Sequence, residues 1–191
     1  MTSGLISWPI NRKAAGVAGI LLGSVLCNGA SLAQAQRDAR LSVRVELPEL
    51  SVAEYHEPYI AIWIADERSQ VRANLAVWYM LGSGPEGDGD TWLKDLRQWW
   101  RRSGRRLAVP LDGVTAATRS PGVHKLEFLA SEAPLSGLEP GNYELIIEAV
   151  REVGDRELLR LPFNWGQGQS VSVSAEGSTE LGLIDVEIRY D

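Results

Sequence analysis

Short runs that alternate apolar and polar residues recur along most of this chain and restrict the folds open to it. Residues 41–47 (LSVRVEL) alternate strictly, which is the period-two signature of a half-buried β-strand. Residues 59–64 (YIAIWI) are aromatic and β-branched, and they predict a strand buried on both faces. A turn at 66–70 leads to a further run at 71–80, so the two runs predict a β-hairpin.

The same pattern continues to the end of the chain. Further strands are predicted at residues 123–129, 143–150, 157–163, 170–174 and 183–190. Short strands at this spacing favour a sandwich of two sheets over alternating βα units. Residues 140–143 (PGNY) form a tight turn that leads into a strand, and this turn resembles one common in immunoglobulin-like bacterial domains. We therefore predict a mainly β, immunoglobulin-like antiparallel sandwich with one inserted α-helix.

The inserted helix is predicted near residues 91–102. Five apolar residues recur there at helical spacing, namely Trp92, Leu93, Leu96, Trp99 and Trp100. We expect Asp90 to cap the N-terminus by accepting hydrogen bonds from free backbone N–H groups. Gly104 is the expected end of the helix.

The N-terminus has the layout of a secretory signal peptide. Arg12 and Lys13 precede an apolar run at 14–26, and small residues at 33–35 (AQA) suit a signal peptidase. We expect cleavage after Ala35, which leaves residues 36–191 as a single exported domain. An uncleaved N-terminal anchor is the alternative, although the run is shorter than the roughly 20 residues that span a bilayer.

Cleavage would also change the chemistry available to the chain. It would remove Cys27, the only cysteine, so the mature domain would be held by its core without disulfides. The full chain has a formal net charge of −6 at pH 7, and the loss of Arg12 and Lys13 makes the mature chain more acidic. An acidic chain without clustered basic residues over a whole face argues against nucleic acid as a partner.

Residues 112–118 (DGVTAAT) contain the only pattern that points to a cofactor. The segment resembles the D-x-x-S/T-G-A-T motif at which exported bacterial flavoproteins receive FMN. It agrees at Asp112, Thr115, Ala117 and Thr118, and it has Ala116 where glycine is usual. The resemblance implies a phosphoester between the Thr118 hydroxyl and the FMN phosphate, made by a separate FMN transferase. The alternative interpretation is an ordinary Asp-Gly turn.

Other residues near the motif are candidates for cofactor binding. Arg119 could neutralise the FMN phosphodiester, since arginine binds phosphate oxygens in pairs. The same could hold for the cluster Arg101, Arg102, Arg105 and Arg106, which could equally dock an acidic partner or complement a helix dipole. Trp99 or Trp100 could stack on the flavin ring, with core packing as the alternative.

Metal binding and hydrolytic chemistry find little support in the sequence. The histidines are His56 and His124 only, and the acidic residues beside His56 offer too few nitrogen or sulfur ligands for a transition metal. No serine nucleophile elbow is evident.

Several segments together resemble a bacterial family of predicted periplasmic proteins of unassigned function. They are residues 58–64 (PYIAIWI), 75–78 (LAVW), 92–99 (WLKDLRQW), 112–122, 140–143 and 148–152 (EAVRE). The resemblance implies a redox setting, with an FMN transferase and a membrane electron-transfer protein as partners. The sequence thus predicts a periplasmic flavoprotein that carries electrons and does not itself convert a substrate. The alternatives are a cofactor-free binding or assembly module and a periplasmic enzyme with a small ligand among the tryptophans.

Overall fold

Two β-sheets and a layer of short helices are stacked in the computed structural model, which describes residues 39–84 and 87–190. The predicted signal peptide at 1–35 lies outside the described residues. The strands are β1 (Ala39–Leu47), β2 (Tyr59–Asp66), β3 (Val71–Trp78), β4 (Ser83–Gly84), β5 (Gly87–Asp88), β6 (Thr115–Ala116), β7 (Gly122–Leu129), β8 (Gly141–Val150), β9 (Arg156–Trp165), β10 (Val171–Glu176) and β11 (Leu183–Tyr190).

The strands form a sandwich, as the alternating runs predict. One sheet has the order β10-β11-β1-β7 and is antiparallel throughout. The other has the order β6-β3-β2-β8-β9 and is antiparallel except where β6 runs parallel to β3. Alternate residues of β1, including Leu41, Val43 and Val45, are fully buried between the sheets. The prediction of a mainly β sandwich is therefore confirmed.

The five-stranded sheet is buried on both faces. Within β2, Ile60, Ile62 and Ile64 face the four-stranded sheet. The intervening Ala61 and Trp63 lie in a second apolar cluster on the opposite face, which the helical layer covers. This confirms the expectation that β2 is buried on both sides, and it makes the five-stranded sheet the middle layer of three.

The helical layer differs from the single helix that the sequence predicts. It consists of a 3₁₀ helix (Gly89–Asp95), the six-residue helix α1 (Arg97–Arg102) and a 3₁₀ turn (Gly104–Arg106). Leu93, Leu96 and Trp99 are spaced three residues apart and are all fully buried. Leu93 lies in the 3₁₀ helix, Leu96 at the junction and Trp99 in α1, and all three side chains face the middle sheet.

The predicted cap at Asp90 is wrong. Asp90 lies within the first turn of the 3₁₀ helix and not at its N-cap, where Asp88 makes no side-chain cap. The N-terminus of α1 is instead capped by Glu148 of β8, which is fully buried. Its carboxylate accepts from the backbone N–H groups of Gln98 (3.0 Å) and Trp99 (2.8 Å). A carboxylate at this position satisfies two donors that the helix cannot pair internally.

Arg156 of β9 completes this arrangement. Its Nε donates to the Glu148 carboxylate at 2.6 Å, so the buried charge has an ionic partner as well as two backbone donors. A buried charge is tolerated only when it is paired and hydrogen-bonded in this way.

A second carboxylate fixes one end of the sandwich. Glu157 of β9 accepts from the four consecutive backbone N–H groups of residues 178–181, at 2.6 to 3.1 Å, in the loop that joins β10 to β11. Burial opposes ionisation, but the four backbone donors outweigh it and lower the pKa of Glu157 to about 2. The same loop holds Glu180, whose carboxylate forms a buried two-pronged pair with Arg151 (2.8 and 3.1 Å).

Replacing Glu148 with glutamine should lower the free energy of unfolding by about 2–4 kcal/mol. One backbone N–H of α1 would face an amide donor, and Arg156 would lose its charged partner. Urea unfolding monitored by tryptophan fluorescence measures the change. Glu144→Gln is the matched control, because Glu144 forms an exposed pair with Arg160 between the same two strands. That pair should contribute less than about 1 kcal/mol, and equal losses in both variants would contradict the capping role.

The low pKa of Glu157 makes its contribution to stability depend on pH. The folded pKa lies below the unfolded value, so the stabilisation is complete above about pH 4.5 and is lost as pH falls towards 2. We expect Glu157→Gln to cost on the order of 1–3 kcal/mol at pH 7. The difference between wild type and variant should shrink steadily in urea titrations between pH 4.5 and 2.5. A difference that stays constant over this interval would contradict the role of the charge.

Candidate functional site

The flavinylation-type motif lies at an open edge of the middle sheet. Residues 112–114 form a turn, and Thr115 and Ala116 form β6, the two-residue strand beyond β3. The backbone N–H of Val77 donates to the Val114 carbonyl (3.0 Å), and that of Tyr79 donates to the Ala116 carbonyl (3.1 Å). The first part of the motif is therefore anchored to the sheet, and the part after Ala116 leaves it.

Thr115 closes the turn that precedes β6. Its Oγ1 accepts from the backbone N–H of Leu111 at 2.8 Å, and its own N–H donates to the Leu111 carbonyl at 2.9 Å. Gly113 has a positive φ of 68° inside this turn, a conformation that favours glycine. The Thr115 hydroxyl is thus committed to holding the loop. Asp112 is exposed at the tip of the same turn.

Thr118 lies just beyond the paired part of the motif. It is half-buried, and it is preceded by the exposed Ala117. Residues 117–120 belong to no helix or strand. Among the described residues, nothing accepts from or donates to the Thr118 hydroxyl. The two threonines therefore differ clearly, because one hydroxyl is used by the fold and the other is free for chemistry.

Arg119 is held against the core beside Thr118. Its guanidinium lies over the ring of Trp78, 4.6 Å from the ring centroid, in a cation–π contact. Its Nε is buried and has no hydrogen-bond partner within the described ranges. His124 packs edge-on to Trp78 and its Nε2 lies 2.9 Å from the Ser120 carbonyl oxygen. The chain after the motif thus wraps around Trp78, which is itself core.

A cavity of about 630 Å³ opens beside the motif turn. Tyr79, Gly89, Pro110, Asp112 and Thr115 contribute to its walls. No motif in the sequence singles out the tyrosines of this cavity. Tyr79 packs against Tyr59 with ring centroids 6.2 Å apart, and the Tyr59 hydroxyl donates to the Gly89 carbonyl. Burial raises the pKa of both tyrosines, so both stay protonated at neutral pH.

The two candidate tryptophans occupy different environments. Trp99 is fully buried, and its indole Nε1 donates to the Asn74 side chain at 2.9 Å. Its ring has no face open to a flavin, so the core-packing alternative applies to it. Trp100 is half-buried against the same cluster, and only its ring could contact a ligand from solvent. Gly104 packs on both rings, since a Cβ there would come within 2.5 Å of Trp99.

The helical arginines lie away from the motif. Ser103 at the end of α1 accepts from Asn74 of β3 at 3.1 Å, whereas the motif pairs with Val77 and Trp78 near the other end of that strand. Four strand residues correspond to roughly 13 Å. The structure therefore brings Asp112, Thr115, Thr118 and Arg119 together in one loop and does not bring the arginines of α1 to it.

Two searches of the described residues bear on other functions. Within 39–84 and 87–190, no group of three or more His, Cys, Asp and Glu residues is placed to hold a metal ion. No helix in these ranges is long and apolar enough to cross a membrane.

Comparison with known protein families finds a match over most of the chain. A family model described as "Predicted periplasmic protein (DUF2271)" matches residues 40–183, which is well over half of the 191-residue chain. Neither a curated protein nor a solved structure shows significant similarity to the chain.

Substitution of the two adjacent tryptophans should separate their roles. Trp99→Leu should lower the free energy of unfolding by about 2–4 kcal/mol, because it leaves a cavity and an unpaired Asn74 oxygen. Trp100→Leu should cost about 1 kcal/mol or less, since part of its ring is already in water. Urea unfolding of both variants measures the difference, and equal losses would contradict the assignment of Trp99 alone to the core.

Proposed function

The chain belongs to the DUF2271 family of predicted periplasmic proteins, and on this premise we propose that it is a periplasmic flavoprotein with FMN esterified to Thr118. It would take part in electron transfer with a membrane redox partner. The observation that carries the proposal is the contrast between the two motif threonines. Thr115 is tied into the turn, while Thr118 presents an unbonded hydroxyl on irregular chain directly after it.

The local geometry suits attachment by a separate enzyme. Within the described residues no side chain forms a hydrogen bond with the Thr118 hydroxyl, and an unassisted threonine is a poor nucleophile. Activation would therefore come from an FMN transferase that receives the loop in its own cleft. The exposed residues Asp112, Gly113 and Ala117 leave the loop narrow enough for such docking.

The departure at Ala116 is compatible with the proposal. Ala116 lies in β6 and pairs with Trp78. Its φ is not positive, so the backbone at this position does not require glycine. The position is half-buried against the core, and the small methyl group is accommodated there.

Arg119 fits the negative charge that a phosphodiester would bring. It follows Thr118 directly, its guanidinium is oriented by Trp78, and its buried Nε has no partner among the described residues. An adjacent anion would provide the missing counter-charge. Bound FMN would supply the redox chemistry, and the protein's own residues would hold its phosphate end and orient the loop.

Export and partners complete the proposal. A signal peptide cleaved after Ala35 would deliver the chain to the periplasm, where the transferase and a membrane electron-transfer protein would be its partners. If Thr118 receives no flavin, the remaining candidate is a cofactor-free binding or assembly module, for which the sandwich serves as scaffold.

Co-expression with an FMN transferase tests the proposal directly. Wild-type protein should gain the mass of one FMN phosphoester, remain fluorescent after denaturation and yield a flavin-labelled peptide that contains residues 112–119. Thr118→Ala should remain folded and carry no flavin, because it lacks the oxygen that forms the bond. The intact mass also tests processing, since the mature chain should begin at Gln36.

Two conservative variants serve as controls. Thr118→Ser keeps a hydroxyl at the attachment point and should accept flavin, although more slowly if the methyl group orients it. Thr115→Ser keeps the bond to the Leu111 N–H and should be labelled like wild type. Unmodified wild-type protein in the presence of an active transferase, or flavin on Thr118→Ala, would refute the proposal.

A further inference from the structure

A second cavity of about 610 Å³ lies at the other end of β3 and is rich in arginine. Arg72 of β3 and Arg101, Arg102 and Arg106 of the helical layer contribute to its walls, together with Asn74 and Ser103. All four arginines are exposed. The concentration of positive charge is notable because the chain as a whole is acidic, with a formal net charge of −6.

Within residues 39–84 and 87–190, these four positive charges have no ion-pair partners. Among the described residues, no carboxylate lies within 4.0 Å of any of the four guanidinium groups. Other arginines of the chain do form ion pairs, for example Arg151, Arg156 and Arg160. Of the hydrogen bonds, Arg106 donates to the Arg102 carbonyl and Arg101 donates to the Gln98 side chain, and both acceptors are neutral.

The helix dipole accounts for only part of this cluster. Arg101 and Arg102 occupy the last turn of α1, where cations are favourable. Arg72 comes from a different element and gains nothing from that helix end. It is the extra residue of a β-bulge, since Ile64 pairs with Ala73 and Ala65 pairs with Val71. Bulges re-aim side chains, and here the bulge places Arg72 at the same cavity as the arginines of the helical layer.

The polar floor of the cavity is rigid. Asn74 bonds both the Trp99 indole and the Ser103 hydroxyl, so the strand and the end of α1 are fixed relative to each other. In the turn between β2 and β3, Asp66 accepts from the backbone N–H groups of Arg68 and Gln70. Its carboxylate oxygen Oδ1 is thus used within the turn.

We propose that this arginine cavity binds a phosphoryl group carried by a diffusible phosphate ester or by a phospholipid headgroup. Several guanidinium groups converging from two elements suit the oxygens of a phosphoryl group, which accepts paired N–H donors. The phosphoester proposed at Thr118 is not the occupant, because five strand residues, or roughly 15 Å, separate Arg72 from the part of β3 that pairs with the motif. The proposal does not depend on flavin attachment.

Binding of two probes tests the proposal and identifies the source of the phosphoryl group. Glycerol 3-phosphate is titrated into the mature protein by calorimetry at an ionic strength of about 0.15 M, where the screening length is about 8 Å, and co-sedimentation is measured at the same ionic strength with vesicles of phosphatidylglycerol and of phosphatidylcholine. We expect at least one phosphate-bearing probe to bind. The double variant Arg72→Gln/Arg102→Gln should weaken its binding about tenfold or more. Binding of glycerol 3-phosphate indicates a diffusible ester, and binding of phosphatidylglycerol vesicles alone indicates a headgroup.

A control variant that removes the same number of positive charges distinguishes specific binding in the cavity from non-specific electrostatic attraction. Arg97→Gln/Arg105→Gln removes two exposed arginines from the same helical layer, and neither contributes to the cavity. This control should bind either probe within about twofold of wild type, since charges outside the cavity are screened. Equal weakening in the two double variants would overturn the proposal, as would the absence of binding to any probe by folded wild-type protein.

Discussion

The carboxylate of Glu148 is the contact on which the arrangement of layers depends. Glu148 lies near the end of β8, and its side chain is fully buried beneath the helical layer. By accepting from two backbone N–H groups of α1 it allows a six-residue helix, too short to be stable alone, to rest on the sheet. Once that helix is fixed, Leu93, Leu96 and Trp99 cover the outer face of β2 and β3. The outer face of the middle sheet can therefore be apolar, because the buried Glu148 carboxylate holds in place the helical layer that covers it.

The strands could be predicted from the sequence because their signal is local. The helix ends could not, because they depend on residues far away in the sequence. A strand's alternation records which of its faces is buried, so β1 could be assigned from residues 41–47 alone. The N-terminus of α1 is determined by a residue 50 positions away, and nothing near Asp90 reveals that Glu148 takes its place. The spacing of Leu93, Leu96 and Trp99 predicted one continuous α-helix, and it did not reveal that the first segment is a 3₁₀ helix that ends before Leu96.

At the candidate site, too, local sequence patterns were predictable and long-range contacts were not. The sequence could place Asp112–Thr118 between structured segments, but it could not distinguish two identical hydroxyl groups. Only the pairing of Thr115 with Leu111 separates them. The burial of Trp99 was equally unreadable, since a large aromatic residue suits both a core and a flat ligand. The arginines of α1 are near the motif in sequence but not in the structure. The C-terminal end of α1 contacts Asn74 of β3, whereas the motif pairs with the last two residues of that strand.

The brevity of β6 has a consequence for motion. Strand β6 is paired with β3 over two residues, whereas β8 and β9 are paired over ten residues. Segments with few bonds and partial exposure open at a small fraction of the global unfolding free energy. We therefore expect β6 to open locally more easily than the ten-residue pairing of β8 with β9. Such opening would expose the segment that leads to Thr118 without unfolding the sandwich.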